Sequence, residues 1–232
     1  MTAAHATLAN TELDLAKLDR RAVNAALREA ERGSFRILNP GGGHALACGL
    51  DAEIEVTVAG HAGYYCAGMN KRAAVAIEGN AGTGVAENMM SGTVRVCGNA
   101  SQSAGATGHG GLLIVEGNTS ARCGISMKGI DIVVGGSVGH MSAFMAQAGR
   151  LVVLGDAGTD LGDSIYEARL YVRGSVASLG ADCIEKEMRE EHRTELAELL
   201  KRAGYDADPS EFRRYGSARK LYNFTIDNLD AY

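Results

Sequence analysis

A glycine closes a short apolar run every 19 residues, at Gly60, Gly79, Gly98, Gly117, Gly136, Gly155 and Gly174, with no insertion. One more period back lies Gly41, in RILNPGGG, which reads as a degenerate first unit. Other columns keep the same register. Four residues before each glycine stand Val56, Val75, Val94, Leu113, Ile132, Leu151 and Leu170. Two before stand Val58, Ile77, Val96, Val115, Val134, Val153 and Val172. Small residues follow at three and seven positions after the glycine, among them Gly63, Gly82, Ser101, Ser120 and Ala177 at the first of these.

This period narrows the possible folds sharply. Branched apolar residues two apart face the same side of a strand. A βαβ unit needs about 30 residues, so 19 cannot hold one. A propeller blade needs about 40. One coil of a β-solenoid fits. Stacked at about 4.8 Å, seven coils make a prism about 34 Å long. The handedness of parallel crossovers makes it right-handed. The predicted fold is therefore all-β: a right-handed parallel β-helix of about seven coils over 36–183. An N-terminal arm and capping helix (1–35) and a C-terminal helix and tail (184–232) flank it. No proline lies between residues 54 and 183, as an unbroken ladder requires. Burial of each inner-column side chain contributes about 1.5–3 kcal/mol as an upper bound.

The corner glycines are expected to turn the chain at positive φ. Asn80, Asn99 and Asn118 follow three of them and form a polar ladder of side-chain amides up the stack. On the outside of the strands, Ile114, Val133, Val152 and Tyr171 form an apolar stripe, extended by Leu154. Either the chain's own terminal helix or another subunit would cover it.

The flanks read as helices. Residues 16–32 carry Leu18, Val23, Ala26, Leu27 and Ala30, with Gly33 at the stop. After Cys183 comes a charged segment with Ile184, Met188, Leu196, Leu199 and Leu200 on one stripe and Gly204 at its end. Asp208-Pro209 then opens a short helix. The tail interleaves Arg213, Arg214, Arg219 and Lys220 with Tyr215, Tyr222 and Phe224, which reads as a docking arm.

Catalytic patterns are weak. GGSVG around Ser137 matches GxSxG, but its glycines are repeat positions. The run GDAGTDLGD (155–163) resembles a calcium nonapeptide only once. Five separated cysteines form no metal pattern. The six histidines show no HxxxH spacing. No catalytic, cofactor-binding or metal-binding residue is predicted. The net charge of −5 gives no reason to expect nucleic acid binding. The first residues lack the basic and apolar regions of a signal peptide, so a cytoplasmic location is expected.

The stretches GHAGYYCAGMN (60–70), IEGNAGTGVAENMMSGTVRVCGNA (77–100) and VVLGDAGTDLGDSIYEARLYVRGSV (152–176) resemble the C-terminal GXGXG β-helix domain of glutamate synthases. The N-terminal helix and RRYGSARKLYNF (213–224) look like those of free-standing versions, above all the β-helix subunit of N-methylglutamate synthase. The resemblance implies a non-catalytic spacer in an enzyme complex, with no cofactor of its own. Its partners would be an amidotransferase-like subunit and a flavin-dependent synthase subunit carrying FMN and an iron–sulfur cluster. A conventional glutamate synthase, formylmethanofuran dehydrogenase and a stand-alone ligand-binding solenoid are the competing settings.

Overall fold

The computed structural model describes residues 10–219. It is a parallel β-solenoid of about seven turns with two helices. The core strands are β3 (Glu53–Val58), β4 (Ala74–Ile77), β5 (Thr93–Val96), β6 (Leu112–Val115), β7 (Lys128–Val134), β8 (Ala148–Val153) and β9 (Arg169–Val172). Each pairs in parallel with the next, and Val56, Val75, Val94, Leu113, Ile132, Leu151 and Leu170 stack in one line. These residues, and the column two further on, fill the interior at 0–2 % exposure.

The first coil is longer than the repeat. β2 (Arg32–Leu38) pairs with β3 so that Phe35 meets Val56, 21 residues on. The N-terminal arm is not only a cap. β1 (Asn10–Asp14) adds a further parallel strand beside β2, and α1 (Arg20–Glu29) follows it. Asp19 caps this helix, its carboxylate accepting from the Ala22 amide at 2.8 Å. Val23 and Leu27 seal the end of the core. The predicted helix was too long at both ends. Leu18 precedes it and is exposed, and Gly33 lies inside β2 rather than at a helix stop.

At the other end, β10 (Cys183–Lys186) follows the last coil, so Ile184 belongs to a strand and not to the helix stripe. α2 (Glu190–Ala203) ends at Gly204, left-handed at φ 87° as its position required. Asp208 caps a single 3-10 turn, Pro209–Glu211. The chain then returns as β11 (Arg213–Ser217), inserted antiparallel between β9 and β10.

The corner glycines correct the expectation of positive φ. Of the seven, only Gly60 has it (φ 140°). Glycine is required there by proximity instead. A Cβ on Gly79 would lie 2.8 Å from the Gly60 carbonyl carbon, and one on Gly117 2.9 Å from the Gly98 carbonyl oxygen. The left-handed residues sit elsewhere. Five, seven and nine residues after each of the first six corner glycines the backbone is left-handed, for example at Tyr65, Ala67 and Met69 or Arg122, Gly124 and Ser126. Amides in this ribbon bond alternately to the coil ahead and the coil behind. Tyr65 donates to the Thr83 carbonyl at 2.8 Å, and Ala86 donates to the Cys66 carbonyl at 2.9 Å.

Candidate functional site

The polar ladder runs the length of the corner. The Asn99 amide donates to Asn80 Oδ1, that of Asn118 to Asn99 Oδ1 and that of Ser137 to Asn118 Oδ1, each at 2.8 Å. The side chains thus bond to backbone amides one coil on. His61 begins the series, its Nδ1 accepting from the Asn80 amide at 2.9 Å. Ser137 and Asp156 continue it to Ser175. Each oxygen satisfies an amide that the turn leaves without a strand partner. The ladder is a structural seam whose acceptors are already engaged within the chain.

The outer stripe is covered by the chain itself. Ile114, Val133, Val152 and Tyr171 pack with Leu112 and Leu154 against Leu196, Leu199, Leu200 and Ala203 of α2 and against Phe212. Assigning these four residues to a subunit interface is therefore corrected: the C-terminal helix occupies that face. Polar contacts fix the helix in place. Arg150 holds Asp131 through two bonds of 2.6 Å, and Arg202 lies 3.6 Å from the same carboxylate. Glu195 accepts from the Tyr171 hydroxyl at 2.6 Å and pairs with Arg169. Burial, reinforced by that carboxylate, pushes the Tyr171 phenol up, so it stays a donor. Arg95 donates to the Ala203 carbonyl at 2.8 Å, a cation at the negative end of the helix.

The predicted docking arm is also partly internal. Tyr215 is 2 % exposed and packs in the solenoid core. Arg213 donates to the Gly174 carbonyl at 3.0 Å, and Arg214 to the Glu187 carbonyl at 2.9 Å. Arg219 pairs with Asp182 at 3.0 Å. Lys220, Tyr222 and Phe224 lie outside the described residues. The amphipathic look of 212–219 thus arises from a strand with one face in the core and cations satisfied by nearby carbonyls and a carboxylate.

No family model matches the sequence. Protein GlxC of Rhizobium meliloti (strain 1021) is 62 % identical over 225 residues, which cover 95 % of this chain and 99 % of that protein. The chain belongs to the GlxC family.

In this GlxC-family chain the described residues contain no group of three or more His, Cys, Asp or Glu side chains placed to hold a metal ion. No helix among them is long and apolar enough to cross a membrane. Sequence reasoning missed β1 and the left-handed ribbon. Gly84, Gly105, Gly124 and Gly162, at ribbon positions, were the available signal for the ribbon.

The ladder of the GlxC-family chain carries one acid. Asp156 accepts from both the amide and the hydroxyl of Ser175, which holds its carboxyl below the usual carboxylate range. A lowered folded pKa gives stability that is present above the unfolded value and lost as pH falls through the folded one. Asp156→Asn should keep the amide acceptor that Asn80, Asn99 and Asn118 use. Its melting temperature at pH 7 should stay close to that of the parent chain, and its stability should fall less steeply below about pH 3.9. Melting curves across that range check this; an equally steep acid loss in both proteins would contradict it.

Proposed function

We propose that this chain is a non-catalytic spacer subunit of a glutamate-synthase-like complex. The complex most consistent with its repeat and flanks is N-methylglutamate synthase. That enzyme joins methylamine to L-glutamate, releasing ammonia and giving N-methyl-L-glutamate. The chain would separate an amidotransferase-like subunit from a synthase subunit that carries FMN and an iron–sulfur cluster.

The observation that carries this reading is the unbroken parallel ladder from β1 to β9, with a second line of side-chain bonds along the corner. Every coil is tied to both neighbours at several places around its circuit. Such a stack resists bending and holds its length, as a spacer between two reaction centres must. The resemblance to the GXGXG domain of glutamate synthases supports the same reading.

The test is reconstitution. The full chain purified alone should show no flavin absorbance and no turnover of glutamate with methylamine. Turnover should appear when the amidotransferase-like and synthase subunits are both added. Turnover by the isolated chain, or full turnover by the two other subunits without it, would overturn the proposal.

A further inference from the structure

Of the seven large apolar side chains exposed among the described residues, four, Met69, Met90, Met145 and Tyr166, lie along one edge of the solenoid. Eleven residues after each of six corner glycines stand Lys71, Met90, His109, Lys128, Gln147 and Tyr166, all exposed. They form a true ladder. Each of the last five donates its amide to the coil behind at 2.7–2.8 Å, as Lys128 does to the Gly108 carbonyl. Their side chains therefore project in a row spaced about 4.8 Å apart. Met69 and Met145 stand two residues earlier in their own coils and flank this row.

Two features mark the row as more than solvated surface. Met69, Met90, Met145 and Tyr166 expose 39–46 % of their area, in two pairs at opposite ends. Met69 and Met145 also adopt left-handed backbone, at φ 57° and 52°. An L side chain there costs about 1–2 kcal/mol, and Asn88 and Ser126 fill the same position in other coils. The left-handed backbone belongs to every coil, but exposed apolar area gathered in one row is contrary to what the stability of the isolated chain would favour. Between the two pairs lie His109 and Lys128, and Lys128 has no ion-pair partner among the described residues. Neither column contains an acid; Glu87 and Glu167 occupy other positions of the coil.

We infer that this ridge docks a helix of a partner subunit, acidic at its middle and apolar at both ends. The inference rests on the complex proposed above. The two apolar pairs are about four coils, or roughly 19 Å, apart. A helix of about 13 residues spans that length. Its acids would meet Lys128, and its ends would cover Met69 with Met90 and Met145 with Tyr166.

The test uses the full chain and the reconstituted complex. Lys128→Glu reverses the central charge. Met145→Ser with Tyr166→Gln removes one apolar end using residue types that the fold already holds in those columns, Ser126 and Gln147. Arg122→Glu, at an exposed position six residues before Lys128 in the same coil, is the control. Each ridge variant should weaken binding of one partner subunit at least tenfold, with melting temperature kept, and the control should bind normally. A photo-cross-linker at Gln147 should capture a partner peptide with carboxylates between apolar residues. Complex formation insensitive to the ridge variants, or a captured peptide without carboxylates, would overturn the ridge while leaving the spacer reading intact. Failure of the parent chain to bind either subunit would overturn both. Capture of a second copy of this chain, with a dimer lost in the ridge variants, would assign the ridge to self-association instead.

Discussion

Gly136→Ala should lower the melting temperature by about 6–12 °C, although it adds one methyl group to a surface corner. Gly136 has no positive φ, so the usual conformational argument predicts almost no effect. The coil behind predicts a large one. The new Cβ would overlap Asn118 Oδ1 and come within 2.9 Å of the Gly117 carbonyl oxygen. Side chains can move aside, but that carbonyl cannot, because it accepts the Gly136 amide at 2.9 Å. Forcing these coils apart disturbs strand pairing on both sides, and overpacking of this kind costs about 3 kcal/mol. In a chain of this size each kcal/mol is worth about 2–4 °C.

Two comparisons isolate the cause. A Cβ on Gly216 meets nothing closer than 3.7 Å, so Gly216→Ala should stay within about 0.5 kcal/mol of the parent. Adding Asn118→Ala to Gly136→Ala removes the overlapping oxygen and leaves the carbonyl contact. The pair should then show a favourable coupling of about 1 kcal/mol in a double-mutant cycle. If Gly136→Ala melts with the parent chain, close stacking is not what requires glycine at the corners.

The same distinction shows what the sequence could convey. The 19-residue period located seven strands, because an inner column must be apolar wherever coils stack. Gly204 and Asp208 also sat where predicted, since a helix stop and a cap need particular residue types in a fixed local geometry. The reason for the corner glycines was not legible, because positive φ and a close neighbour both select glycine. The residues that are left-handed include Arg122, Met141 and Met145, whose side chains give no hint of it. β1 was hidden for a different reason. NTELD has one buried apolar residue, Leu13, and its partner β2 is offset from the repeat. The tail misled because aromatic and basic residues alternate equally well in a docking arm and in a strand with one buried face. Tyr215 and Arg214 have those two roles within β11.

Val133→Asp should peel α2 from the solenoid while leaving the coils stacked. Val133 has no exposed surface and lies on the face of β7 that packs against the helix. Its neighbours Ile132 and Val134 point the other way, into the separate interior cluster. A carboxylate at Val133 finds no donor built for it, and burying it costs about 4 kcal/mol or more if the helix stays in place. The helix can escape that cost by leaving, at the expense of its contacts through Leu196, Leu199 and Leu200 and the Glu195 pairings. Thr57→Asp is the matched control: it lies in the same outward column, on a coil that α2 does not cover, and should be silent. Limited proteolysis should show cleavage within 187–208 rising at least tenfold in Val133→Asp alone, with the strand signal in circular dichroism retained. Burial raises the pKa of the introduced carboxyl, so the damage should shrink as pH falls and the group neutralises. If both variants resist the protease equally, the helix does not depend on this face, and the stripe of Ile114, Val133, Val152 and Tyr171 would again be open to another subunit.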